Sequence, residues 1–255
     1  MPAFASYPSL KDRTVFISGG GSGIGASIVE HFAGQDAKVA FVDIDERASQ
    51  ALIKKIAGAG HREPVFAKCD VRDIAAYQAA LSSLARRLGD FAVLVNNAAR
   101  DDRHTIDEVT ETYWNERMNV NLRHQYFAIQ TVVPGMKKAG GGSIINFSSV
   151  SYHAMAPKLS VYEGAKAAVV GMTRGLARDL GPDNIRLNIV TPGWIMTQRQ
   201  IDLWLTPEAE IDLMKAQCLK EKVYPPDIAR MVLWLASDDS RMVTAQNFVV
   251  DGGRM

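Results

Sequence analysis

Short apolar runs alternate with longer amphipathic stretches along the whole chain. The runs are Thr14–Ser18, Lys38–Asp43, Pro64–Asp70, Phe91–Asn96, Ser143–Ser148, Ile185–Thr191 and Asn247–Val250. Several are apolar almost throughout (VFIS, VAFVD, AVLVNN, SIINFS), as expected of strands buried on both faces of a parallel sheet. Between them fall stretches of helical length: Gly25–Gln35, Asp45–Ala59, Asp73–Leu88, Tyr113–Lys138, Tyr162–Leu180 and Pro226–Ser237. This alternation predicts an α/β protein, a doubly wound parallel sheet of roughly seven strands with helices on both faces. Gly-rich and Gly-Pro punctuation at Ala139–Gly142 and Gly181-Pro182 ends two of the helices. No linker or long repeat interrupts the pattern, so residues 1–255 read as a single domain. One segment fits poorly. Gly193–Val223 follows a strand and carries Trp194, Met196, Trp204 and Met214 on a weak helical pattern. Loops after strand carboxyl ends carry ligands in such sheets, so this segment is expected to be a lid over a pocket. The alternative is a peripheral insertion that only packs.

Composition narrows the function classes. Lys+Arg and Asp+Glu number 29 and 28, a net charge of +1, which excludes a polybasic nucleic-acid binder. No apolar run approaches the roughly 18 residues of a membrane span, and Met1–Leu10 lacks the pattern of a secretory signal. Two distant cysteines, Cys69 and Cys218, exclude a disulfide framework and make a metal site unexpected. A reducing cytoplasm is the expected setting.

The strand Thr14–Ser18 runs directly into Gly19-Gly-Gly-Ser-Gly-Ile-Gly25, and a helix follows. Glycines there let the backbone turn tightly and approach a pyrophosphate, whose charge is favoured at a helix N-terminus. Strand, glycine loop and helix together predict a Rossmann-type dinucleotide site. Asp43 closes the second strand, where a carboxylate accepts hydrogen bonds from ribose hydroxyls and repels a 2′-phosphate. No Lys or Arg lies within Gly19–Gly25, so NAD is expected over NADP. The competing reading of Asp43 is a cap on the next helix.

Tyr162 and Lys166 are spaced i, i+4 and so share one helix face. The pattern alone is cheap, and Tyr7-Pro-Ser-Leu-Lys11 repeats it before the first strand. Context separates the two, because Ser149 lies just past the strand Ser143–Ser148 and ahead of Tyr162. A phenol with a pKa near 10 is a poor base at neutral pH; a lysine ammonium and an oxidised nicotinamide nearby would lower it.

Taken together, Gly19-x-x-x-Gly23-Ile-Gly25, Asn96-Asn-Ala98, Asn121, Ser149, Tyr162-x-x-x-Lys166 and Pro192-Gly193 followed by Ile195 and Thr197 resemble the motif set of the short-chain dehydrogenase/reductase family. The resemblance covers essentially the whole chain. It implies catalysis by Tyr162 as base, Lys166 holding the nicotinamide ribose, Ser149 holding the substrate oxygen, and Asn121 positioning a water for proton relay. Asn119 is assigned to structure. The implied cofactor contacts are Gly19, Ser22, Gly23, Ile24, Gly25, Asp43, Asn97, Ala98, Tyr162, Lys166, Pro192, Gly193, Ile195 and Thr197. Asp70 and Val71 resemble the pair that contacts adenine, although Asp70 could instead cap a helix. Two departures are mild: Ser18 replaces the usual Thr, and Ala99 stands where Gly normally follows Asn-Asn-Ala. The family habit implies a homotetramer.

Polar residues crowd the loops expected to wall the pocket, namely Asp101–His104, Ser151, His153 and Gln198–Gln200. Tyr152, Trp194 and Trp204 among them could stack on the apolar face of a sugar. Candidate substrate contacts are therefore Asp101, His104, Ser149, Ser151, His153, Tyr162 and Trp194. Segments such as Asn119-Val-Asn-Leu-Arg-His124, Pro134-Gly-Met-Lys-Lys138 and Ala216-Gln-Cys-Leu-Lys220 resemble bacterial pentose 1-dehydrogenases. That resemblance implies oxidation of C1 of a cyclic aldopentose, L-arabinose or D-xylose, to the aldonolactone. A related enzyme for another sugar, a polyol or a ketone is the nearer alternative. A catalytically idle NAD-binding regulator is the remote one.

Overall fold

The computed structural model describes residues 4–255; Met1–Ala3, the head of the Met1–Leu10 stretch, lie outside them. The elements run β1 (Thr14–Ser18), α1 (Gly23–Ala33), β2 (Lys38–Asp43), α2 (Glu46–Gly58), β3 (Val65–Lys68), α3 (Ile74–Leu88), β4 (Val93–Asn96), α4 (Glu111–Met118) and α5 (His124–Lys138). They continue with β5 (Gly142–Phe147), α6 (Ser151–Ala154), α7 (Ser160–Leu180), β6 (Ile185–Pro192), α8 (Gln198–Trp204), α9 (Pro207–Ala216), α10 (Pro225–Ala236) and β7 (Asn247–Val250). The strands form one seven-stranded sheet in the order β3-β2-β1-β4-β5-β6-β7. Every pairing is parallel.

Side chains of β1 alternate between the two faces, as strand geometry requires. Val15 and Ile17 pack with Ile28 and Phe32 of α1 and Ile228 and Val232 of α10. Phe16 faces the other way, among Tyr77 and Leu81 of α3 and Met136 of α5. The sheet is thus apolar on both sides, which explains the near-continuous hydrophobic runs. A buried polar chain crosses it: Asn96 Nδ2 donates to Asn146 Oδ1 at 2.8 Å, and Asn146 Nδ2 donates to Thr173 Oγ1 at 2.9 Å. It ties β4, β5 and α7 together beneath the cleft.

The single helix expected over Tyr113–Lys138 is two. Asn119–Arg123 forms a π-type turn between α4 and α5, a feature that marks functional sites more often than chance. The poorly patterned segment after β6 contains two capped helices. Thr197 Oγ1 accepts from Gln200 N at the start of α8, and Thr206 Oγ1 accepts from Ala209 N at the start of α9, with Pro207 in its first turn.

The order reverses between β1 and β4, the neighbours at the centre of the sheet. A crevice opens there at the carboxyl ends of the strands, where open α/β sheets bind ligands.

Candidate active site

A cleft of about 820 Å³ runs along those carboxyl ends. Gly19, Ser22, Gly23, Ile24, Gly25, Asp43, Asp70, Val71, Asn97 and Ala98 line it toward β2 and β3. Ser149, Ser151, Tyr162, Lys166, Pro192, Gly193, Trp194, Ile195, Thr197 and Asp101 line the other end.

The glycine loop is shaped by contacts that leave no room for side chains. Gly19 has φ +67° and donates from its N–H to Val42 O at 2.8 Å. A Cβ on Gly25 would lie 1.8 Å from Gly19 O, so loop and helix touch backbone to backbone. Asn97 pins the loop by donating from Nδ2 to Gly19 O (2.9 Å) and Ser18 O (3.1 Å). The Ser18 hydroxyl accepts from the N–H groups of Asn97 and Ala98, each at 3.1 Å, so serine serves here as the usual threonine would. The N-terminus of α1 carries no acidic side chain in its first turn and opens toward the cleft. Its unpaired N–H groups and dipole suit an anion.

At the end of β2, Asp43 accepts from Gly21 N (2.8 Å) and Asp45 N (2.9 Å). The cap of α2 is Asp45, whose side chain accepts from Ala48 N, so Asp43 is not committed to capping. Asp73 likewise caps α3, leaving Asp70 at the cleft. Hydrogen bonds from Arg72, at 2.6 Å for the shortest, hold the Asp70 carboxyl below the usual carboxylate range. A cradle of this form, with glycine backbone at a helix N-terminus and a carboxylate at the second strand, fits a dinucleotide.

At the far end, the first turn of α7 presents Tyr162, and Lys166 follows one turn later, only 1% exposed. The Lys166 ammonium lies 5.7 Å from the Tyr162 ring centroid and donates to Phe147 O at 2.9 Å. Burial pushes the lysine down to about 7, with Asp101 opposing. Burial also raises the Tyr162 hydroxyl, and Asp101 adds to the rise; the Ser149 hydroxyl and Arg103 pull it back. In the protein alone the phenol is therefore shifted opposite to the expected lowering, because its own burial, with Asp101, outweighs Ser149 and Arg103. Ser149 Oγ accepts from Ser151 N at 3.2 Å at the head of α6.

Asn121 sits in the π-type turn, fully buried. Its Oδ1 accepts from Arg100 N at 2.8 Å and its Nδ2 donates to Arg100 O at 3.0 Å. Both ends of the amide thus hold the loop after β4. Asn119 accepts from Arg123 away from the cleft.

Not every expected substrate contact comes together here. His104 is buried outside the cleft lining, within 3.1 Å of both Ser160 Oγ and Tyr113 Oη, where it braces the start of α7. His153 is exposed and stacks on Tyr152 at 4.0 Å, also outside the lining. The face of Trp204 is taken by the Arg103 guanidinium at 4.8 Å. Trp194 does line the cleft, donating from Nε1 to Gln200 Oε1 at 2.8 Å. Gln200 in turn donates to Asp101 Oδ2 at 2.8 Å, linking α8 to the loop after β4.

Further charged residues at the cleft escape sequence reading, Arg117 and Arg254 among them. Arg117 is buried, pairs with Asp102 and Glu116 and lines the cleft, yet on α4 it looks like ordinary solvated helix charge. Arg254 reaches the cleft from the chain end, with no local pattern to announce it.

A family model described as enoyl-(acyl carrier protein) reductase matches residues 19–254. The chain belongs to the short-chain dehydrogenase/reductase family. It is accordingly an oxidoreductase of a family that binds a nicotinamide cofactor. D-Xylose 1-dehydrogenase of Caulobacter vibrioides is 49% identical over 249 residues, covering 98% of each chain. "Probable galactose dehydrogenase GalD" of Rhizobium meliloti is 48% identical, covering 98% of this chain and 97% of its own. Among solved structures, a blue fluorescent protein from a metagenomic library, in complex with NADPH, has a TM-score of 0.88 at 34% identity, covering 96% of this chain and 99% of its own.

Proposed function

We propose that this short-chain dehydrogenase oxidises the C1 hydroxyl of a cyclic aldopentose, L-arabinose or D-xylose best, to the aldonolactone, with NAD as acceptor. The observation that carries the reading is the convergence of Ser149, Tyr162 and Lys166 at the mouth of a dinucleotide cradle whose opposite wall is polar. Near-identity in length and 49% identity to a D-xylose 1-dehydrogenase support the substrate class.

Bound along Gly19–Gly25, Asp43, Asn97, Ala98, Lys166 and Pro192–Thr197, the oxidised nicotinamide would take up the hydride released from C1. The chain's own residues do the rest. The Lys166 ammonium favours the phenolate form of the neighbouring Tyr162, whose Oη takes the C1 hydroxyl proton and becomes the neutral phenol. Ser149 holds the substrate oxygen, and Asn121 acts at one remove by fixing the Arg100 loop. C1 reacts before the secondary hydroxyls because its ring oxygen stabilises the electron-poor carbon as hydride departs.

Asp43 supports NAD over NADP, since its carboxylate lines the end of the cradle where a 2′-phosphate would add negative charge. The segment Gly193–Val223 acts as the lid, with Trp194 and Asp101 contacting the sugar. A homotetramer in the cytoplasm is the expected form of the enzyme. NADH formation across pentoses and hexoses, with NMR of the early product, tests the reading. A lactone from an aldopentose is expected. Activity on secondary alcohols or hydroxyacyl thioesters but on no aldose would overturn it.

A further inference from the structure

Two residues at the reacting end of the cleft carry a buried polar atom without a partner, Arg103 at Nε and Ser151 at Oγ, and Trp204, which stacks on Arg103, carries a third at Nε1. Native proteins leave few such atoms, and those they leave call for an explanation, a missing ligand among them. Arg103 and Ser151 both line the cleft.

Arg103 is also held in place. Its guanidinium carbon lies 4.8 Å from the centroid of the Trp204 ring in α8, and Nη1 donates to Pro157 O at 3.4 Å. Stacking and that bond restrain the planar group while the Nε–H stays free. Its charge reaches the reacting group, because it is among the groups acting on the Tyr162 hydroxyl.

We propose that Arg103 is a specificity-determining residue, whose Nε–H donates a hydrogen bond to a non-reacting hydroxyl of the substrate, with the Ser151 hydroxyl as second partner. The inference rests on the sugar reading and adds to it the residue that selects among polyhydroxylated substrates. Asp101 lines the same cleft and offsets the Arg103 charge at Tyr162, so a neutral polyhydroxylated substrate meets a balanced site. A substrate lacking the contacted hydroxyl would leave the donor unpaired, which is how a polar site rejects an analogue.

The test compares wild type, Arg103→Gln and Arg103→Lys on an aldopentose and its mono-deoxy analogues. Both variants should lose about tenfold or more in kcat/KM on the full sugar, Lys included, because it keeps charge but has no Nε–H. On one deoxy analogue, variants and wild type should be nearly equal. NAD affinity, read by fluorescence titration, and the melting temperature should stay near wild type. Unchanged selectivity, uniform loss on every analogue together with weakened NAD binding, or a lower KM for a uronate than for the aldose would each overturn the role. If wild type oxidises the aldose while the variants match it, the Arg103 inference alone falls. If wild type oxidises no aldose or polyol, both readings fall.

Discussion

Tyr162 and Lys166 lie on one face of α7, and burial works on both in opposite directions. Tyr162→Phe removes the base but no cofactor contact of comparable weight, so turnover should fall at least roughly a hundredfold while NAD affinity stays largely intact. Retention of more than a few per cent of the rate would show that Tyr162 is not the base. Lys166 leads to a stability prediction. Its folded pKa of about 7 lies below the value near 10.4 of an unfolded lysine. Between those values the unfolded chain binds the extra proton, so stability rises with pH through this window and the full penalty is present below it. Lys166→Met should therefore raise the melting temperature of the cofactor-free protein at pH 6, by up to a few kcal/mol of stability. The gain should shrink as pH approaches 10, offset in part by loss of the bond to Phe147 O. Melting curves across pH 6 to 10 that show no such convergence would remove burial as the source of the shift.

At the scale of elements, function is carried by strand ends and helix starts. Asp43, last residue of β2, holds Gly21 N and Asp45 N. Asp43→Ala should weaken NAD and raise the NADP/NAD preference by about tenfold or more, through lost ribose bonds and relieved repulsion. An unchanged preference would retire Asp43 as the discriminator. Gly25→Ala should abolish dinucleotide binding and lower stability, since the new Cβ meets backbone at 1.8 Å rather than a side chain that can turn away. Much of this was legible, because strands apolar on both faces and a glycine loop between β1 and α1 are local patterns. The break at Asn119–Arg123 was not: it accompanies Asn121 spending its amide on Arg100, a contact between distant segments. His104 misleads for the same reason, its partners Ser160 and Tyr113 lying on two other elements. The start of α9, by contrast, carries a local signal in Thr206-Pro207, a cap followed by a helix-initiating proline, but the surrounding tryptophans and methionines break the helical periodicity that would support it.

Across the whole molecule, the sheet is pressed between two apolar layers, whereas α8 is attached by polar ties. No residue of α8 is fully buried, and in α9 only Leu213 is. Gln200 joins Asp101 and Trp194 at 2.8 Å each, and Arg199 reaches Asp102 at 3.2 Å. Each such tie is worth about 0.5–1.5 kcal/mol, so α8 should open far more cheaply than the sheet unfolds. The base of the segment is firmer: Cys218 N donates to Gly253 O at 3.1 Å, Leu219 N donates to Gly252 O at 2.9 Å, and Ile195 bridges Val223. These ties fit the proposed lid, hinged on a fixed base. Amide exchange in the ligand-free protein should be fast over residues 198–205 and slow in β1, β4 and β5, with residues 217–223 between. NAD plus an aldopentose should slow residues 198–205, because Trp194, Asp101 and Arg103 gain partners on the cleft side and bring α8 with them. Gln200→Ala should speed exchange there severalfold, leave the sheet unchanged, and raise the KM for sugar more than it lowers kcat. If residues 198–205 exchange as slowly as β4 and do not respond to ligand, the segment is a packed insertion and not a lid.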